Sequence, residues 1–150
     1  MSRQPISGQQ LFDRKLDPST QALTLADVRR PDTPLVYVNS GFEKMTGYTR
    51  MDAVGRNCRF LQGPETSAEA VTQMRSAIAA NRPLIIDVLN YRRDGSAFWN
   101  RLSLTPVKGV DGQATHYIGI QSDISRMRAL HDRLHEIALD LARANILALD

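Results

Sequence analysis

Apolar and polar positions alternate along several stretches of the chain and recur at helical spacing along others. Leu23 and Leu25 alternate with polar residues in "TQALTLADV", which predicts a strand. "RRPDTP" carries two prolines and Asp32 and predicts a turn. "LVYVN" predicts a second strand, ending at Asn39-Ser40-Gly41. "GFEKMTGY" predicts a short helix stopped at Gly47. Between Gly55 and Gly63-Pro64 the pattern allows only short helical turns. Thr66 and Glu69 form a T-x-x-E capping box, which predicts a helix running to about Ala80. Its apolar face is Val71, Met74 and Ile78, and Arg75 lies on that face too. A guanidinium within an apolar stripe needs an anionic partner or an exit to water.

"LIIDVLNY", "AFWNRLSLTPV" and "THYIGIQSDI" predict three further strands. Arg92-Arg93-Asp94-Gly95 joins the first two as a hairpin. A two-residue loop at Asp94-Gly95 would put Asn90 and Asn100 on opposite faces of the sheet. A three-residue loop, with Gly95 left-handed, puts both on one face with Phe98, Leu102 and Leu104. Gln121 joins that surface if the third strand turns Tyr117 and Gly119 inward. Trp99 falls on the opposite face, as covering or interface surface.

From Ser125 onward the pattern is one long helix. Met127, Leu130, Leu134, Ile137, Leu141, Ala144 and Ala148 are spaced 3, 4, 3, 4, 3, 4, with charged residues on the other faces. Such a stripe is too narrow for a buried core helix and suits a partner helix. The alternative is that the helix folds back on its own sheet. Residues 1–20 are polar, with a short helix near "GQQLFDRKL" ended by Asp17-Pro18.

A length of 150 residues fits one domain, and 42% hydrophobic with 23% charged is a globular composition. No segment approaches the ~20 apolar residues of a membrane span. "MSRQPISGQQ" has no apolar signal region, and one cysteine makes no internal disulfide, so a reducing, cytoplasmic setting is expected. The net charge of +3 is spread among 16 acidic residues without a basic block, which reads as a mixed solvated surface and not a nucleic-acid footprint. His131 and His135 form an i, i+4 pair without a third ligand and read as helix surface, so no metal is expected. No Ser-His-Asp set, phosphate-binding glycine loop or paired acids appear, and no enzyme activity is expected.

The chemistry concentrates around the lone cysteine. In "GRNCRFLQG" Cys58 stands between Arg56-Asn57 and Arg59, with Gln62 beyond. Read alone, the arginines would lower the thiol pKa. Taken with Arg75, Asn90, Asn100 and Gln121, the picture changes. Amides offer donors and acceptors in fixed planes and suit a flat, heteroatom-rich ring. Two arginines suit a phosphate. The leucines and Phe98 suit the apolar part of the ring.

"GRNCRFLQGPET", then Arg75, "LNYRRDGSAFWN" and "YIGIQSD", resemble a LOV (light-oxygen-voltage) domain, the flavin-binding branch of the PAS superfamily. The match runs from about Thr24 to Asp123 and resembles the short bacterial LOV proteins without a fused effector. The resemblance implies an α+β PAS fold: a five-stranded antiparallel sheet with helices packed on one face. It divides the chain into an N-terminal cap (1–21), a flavin-binding core (22–124) and a coiled-coil-like C-terminal helix (125–150). It implies non-covalent FMN and makes Cys58 the photoactive cysteine, whose sulfur bonds flavin C4a under blue light while N5 is protonated. Asn90 and Asn100 match the pair on the polar edge of the ring, and Gln121 the glutamine that reorients near N5. Asn57 and Gln62 match ring or ribityl contacts, and Arg59 and Arg75 the phosphate arginines. Phe42, Leu61, Ile78, Leu102 and Leu104 match the apolar lining, with Gly119 beside Gln121. Thr33 stands where many members have Asn in a "D-N-P" turn, and Ala26 where a larger or hydroxylated residue is common. The implied output is a homodimer through the terminal helices, read by an effector partner in trans, with no membrane or nucleic-acid contact. A dark flavin redox protein and a plain PAS dimerisation module are the alternatives.

Overall fold

The computed structural model describes residues 21–144. Strands β1 (Ala22–Asp27) and β2 (Leu35–Val38) come first, followed by helices α1 (Ser40–Thr46) and α2 (Arg50–Ala53). A 3₁₀ turn covers Cys58–Leu61, and helix α3 spans Ala68–Ala79. Strands β3 (Leu84–Tyr91), β4 (Ala97–Lys108) and β5 (Ala114–Asp123) lead into helix α4 (Ser125–Arg143). The strands form one antiparallel sheet in the order β2-β1-β5-β4-β3. The expected N-terminal helix and Ala148 lie outside the described residues.

The β3–β4 hairpin takes the three-residue loop. Arg92 N–H donates to Ser96 O, Gly95 has φ 88, and Val88 pairs with Asn100. A left-handed residue is cheapest as glycine, so Gly95 sets the register of both strands. Asn90 and Asn100 therefore share the inner face, while Trp99 lies on the outer one.

One prediction is corrected. Helix α3 is capped by Ser67, whose hydroxyl accepts from Ala70 N–H, and not by Thr66. The Thr66 hydroxyl donates to Leu89 O (2.7 Å) and accepts from Gly63 N–H (3.0 Å), so it ties the Gly63–Thr66 turn to β3. With its O–H committed to β3 and its oxygen to the turn before the helix, the cap falls to Ser67.

The core is divided. Ala22, Leu35, Val38, Phe42, Ala53 and Leu61 pack at the β1–β2 end. Ala70, Val88 and Leu102 pack between α3 and the other end of the sheet, with Met74, Ile86 and Leu104 against them. Helix α4 adds to neither. None of its described residues is buried; Leu130, Leu134 and Ile137 are 59%, 57% and 47% exposed. The fold-back alternative therefore does not hold for this helix. It is anchored only where it begins: Ser125 Oγ accepts from Trp99 N–H, and Arg128 stacks 3.8 Å over the Trp99 ring. His131 and His135 are exposed. Among the described residues no helix is long and apolar enough to cross a membrane, and no three His, Cys, Asp or Glu side chains are grouped to hold a metal.

Candidate functional site

Between the two packed clusters lies a cavity of about 320 Å³. Its apolar wall includes Ala26 and Leu35 from the β1–β2 end, Val71, Met74 and Ile78 from α3, and Leu102 and Leu104 from β4. Cys58, Asn57, Arg59, Gln62, Arg75 and Gly119 also line it, as do Thr24, Asp32 and Thr33. The Val71, Met74, Arg75 and Ile78 face of α3 thus meets one cavity, as its spacing predicts. Both positions at which the chain departs from the common LOV pattern, Ala26 and Thr33, are in the wall as well.

Asn57 caps the turn that carries the cysteine. Its Oδ1 accepts from Arg59 N–H (2.9 Å), and its Nδ2 donates to Asp32 O (2.8 Å). The turn and the 31–34 loop are thereby fixed to each other. Arg59 is ion-paired with Asp32, whose carboxyl this hydrogen bond holds below the usual carboxylate range. Arg75 is exposed and makes no ion pair among the described residues, so its guanidinium is available at the cavity rim. Asp32 is the partner that sequence reading missed, since its pairing with Arg59 spans 27 residues.

Cys58 lines the cavity and keeps exposed surface there. Burial of its thiol by the surrounding protein still pushes the pKa above the ordinary value, against the opposing pull of its backbone hydrogen bond and Arg59. Desolvation outweighs the neighbouring charge, and the sulfur is a neutral thiol at pH 7. The activating role that the flanking arginines imply when "GRNCRFLQG" is read alone is not found.

The polar inner face continues the leucine row of β4. Leu104, Leu102 and Asn100 alternate along one face, and Leu102 pairs with Gln121 across the sheet. Asn90, Asn100 and Gln121 are buried and stand beside the cavity wall, not among the residues that line it. Asn100 Nδ2 donates to Asn90 Oδ1 (3.0 Å), and Asn100 Oδ1 accepts from Ser122 N–H (3.2 Å). Gln121 Nε2 donates to Thr24 Oγ1 (3.0 Å). Gln121 Oε1 is buried with no hydrogen-bond partner. A buried acceptor without a partner is costly, and it fits a ligand bearing an N–H group. Phe42 and Leu61 do not line the cavity; both belong to the packed β1–β2 cluster, where Phe42 is fully buried.

A five-stranded antiparallel sheet with a cavity held between its inner face and helix α3 defines a PAS-type ligand-binding module. The family model described as a PAS domain matches residues 24–126. A blue-light-activated histidine kinase of Rhizobium johnstonii is 42% identical over 132 residues, covering 85% of this chain and 38% of that protein. The LOV domain of the Erythrobacter litoralis EL346 blue-light-activated histidine kinase is 45% identical with a TM-score of 0.68, over 70% of this chain and 96% of that one. A LOV domain from work on a flavin analogue is 37% identical with a TM-score of 0.73, over 83% of this chain and 93% of that one. The chain belongs to the LOV domains of the PAS superfamily. It spans between about a third and two-fifths of the length of the first curated relatives it matches.

Proposed function

We propose that the protein senses blue light through FMN held in the cavity between α3 and the sheet. The observation that carries this reading is the composition of one cavity: the neutral Cys58 thiol, two arginines and an apolar slot, flanked by buried amides whose Gln121 Oε1 lacks a partner. Its volume falls in the ~300–1,000 Å³ range of small-molecule sites. A bound flavin would supply the absorbing ring, with a carbon that takes sulfur and an adjacent nitrogen that takes a proton.

The chain's residues divide the remaining work. Arg75 and Arg59 hold the phosphate, with Arg59 exchanging part of its contact with Asp32. Asn57 and Gln62 hold the sugar chain and ring edge. Asn90 and Asn100 open their mutual hydrogen bond toward the ring, and Leu102, Leu104 and Ile78 exclude water from its faces. Cys58 would supply both the sulfur and the proton that a bound ring takes up, and both would return to it in the dark, so neither oxidant nor reductant would be needed. The Gln121 amide would answer a proton there by which end it presents: Oε1, free as found, accepts from an N–H, and Nε2, in the reversed amide, donates to a bare nitrogen. Output passes along β5 to α4, whose apolar stripe joins a second copy and is read by a partner in trans.

Purified protein should be yellow, bleach under blue light and recover in darkness. Cys58→Ala should stay yellow without reversible bleaching. A yellow wild type that never bleaches would refute the photochemical role. One that stays colourless after reconstitution with FMN would refute flavin binding. For the dimer, light scattering on a chain ended at Ser125 should show weaker association, and an unchanged dimer would sink the stripe argument.

A further inference from the structure

Thr24 holds one end of the Gln121 amide. On β1 it pairs with Gly119, one position diagonal to Gln121, so both side chains rise from the inner face. Both are buried, and Gln121 Nε2 donates to Thr24 Oγ1 at 3.0 Å. The Thr24 O–H is directed at Gly119 O, at a long 3.5 Å. Gly119 makes this meeting possible: a Cβ there would fall 2.4 Å from Thr24 Oγ1 and 3.0 Å from Gln121 Nε2. With Nε2 committed to Thr24, the amide's free end is Oε1, which has no partner. Of the two β1 residues in the cavity wall, Thr24 and Ala26, only Thr24 has a hydroxyl.

We propose that Thr24 is the positioning residue for Gln121, its hydroxyl setting which end of the amide is free to meet a ligand in the cavity. A hydroxyl both accepts and donates. It holds Nε2 as found, and by turning its proton from Gly119 O to Oε1 it also holds the reversed amide. Serine keeps that ability; valine, of the same shape, supports neither orientation. The role rests on the flavin reading for its purpose, but not for its geometry.

The test therefore has two arms. In ligand-free protein, side-chain amide NMR should show the Gln121 NH₂ protons of Thr24→Val exchanging with solvent at least about tenfold faster than wild type, with Thr24→Ser unchanged. Thr24→Ala is measured beside Thr24→Val, so that failure of one variant to fold leaves the other. Unchanged Gln121 exchange in a folded variant overturns the proposal. In flavin-loaded protein, Thr24→Val should shift dark recovery at least about fivefold, the rate equivalent of one net hydrogen bond, in the same direction as Gln121→Leu. In a Gln121→Leu background it should change recovery less than about twofold, because a residue acting only through Gln121 has nothing left to position. Additive effects overturn the proposal. A protein that never bleaches refutes the photochemical reading instead, and the ligand-free arm still decides Thr24.

Discussion

Replacing Gly119 with alanine places one methyl group where the structure has no room for it. The added carbon would stand 2.4 Å from Thr24 Oγ1, 3.0 Å from Gln121 Nε2 and 3.5 Å from Leu102 Cδ1. Thr24 is β-branched and buried, so its hydroxyl leaves only by rotating a stiff χ1 within a packed setting. Overpacking of this kind costs about 1–3 kcal/mol. Losing the Gln121–Thr24 hydrogen bond adds about 1 kcal/mol, and the alanine returns about 0.5–1 kcal/mol because it orders a strand more cheaply than glycine. The net is about 2 kcal/mol, a fall in Tm of roughly 4–8 °C for a domain of this size. Thermal denaturation by circular dichroism measures it. The cause is isolated by repeating Gly119→Ala in a Thr24→Ala background, where the nearest obstructing atom is gone and the penalty should fall by about half. An unchanged Tm, or the same penalty in both backgrounds, would refute the packing argument.

Thr33 has φ 46 in the 31–34 loop, a left-handed conformation that a β-branched residue adopts at a cost and asparagine tolerates. Thr33→Asn should raise stability by about 0.5–1 kcal/mol in denaturant unfolding; no gain would show that the loop's other bonds dictate its shape. The Cys58 thiol is pushed up by burial, so its iodoacetamide alkylation should be slow at pH 7 and should still be rising with pH past the ordinary thiol value of 9.0. Rapid labelling at neutral pH would contradict that. Asp27, held by the Arg29 guanidinium, has its pKa lowered to about 2 from an ordinary 3.8. Its folded carboxylate binds protons more weakly than the unfolded one, so the stability it gives is present above pH 3.8 and is lost as pH falls toward 2. Asp27→Asn should flatten the acid limb of the stability–pH curve in that window, and an unaltered limb would assign acid sensitivity to other carboxylates.

The readable parts of the sequence were those fixed by short-range rules. Gly95 after Arg93-Asp94 dictates a loop length, the loop dictates the register, and the register puts Asn90 and Asn100 on one face. Alternation along "YIGIQ" likewise turns Tyr117, Gly119 and Gln121 inward. The failures came where a long-range partner decides. Thr66 and Ser67 both offer a capping hydroxyl, and only the position of Leu89 O shows which one is taken. The ion pair between Arg59 and Asp32 likewise becomes visible only once the 31–34 loop brings the two together. Phe42, which the family resemblance implies is apolar lining, packs into the β1–β2 cluster. Thr24 was legible and overlooked: as the polar member of the inward row Ala22, Thr24, Ala26, its hydroxyl needed a partner on that face.

The buried amides beside the cavity and the anchor of α4 share one short run at the end of β5. Gln121 meets Thr24, and Ser122 N–H donates to Asn100 Oδ1. Asp123 accepts from Ser125 N–H and pairs with Arg92 at 2.6 Å. Ile124 N–H donates to Trp99 O, and Trp99 N–H returns a bond to Ser125 Oγ. Five successive residues thus carry the site's amide contacts at one end and the helix attachment at the other. Beyond that attachment α4 has no buried residue to hold its direction. A small displacement of β5 would therefore act on a helix held, past its first residue, by the Arg128 stacking on Trp99 and the half-exposed Arg128–Asp87 pair at 3.9 Å, a weak restraint. A helix buried along its length would resist such a displacement through many contacts. One anchored at a single end would turn it into a swing of the exposed stripe that Leu130, Leu134 and Ile137 present.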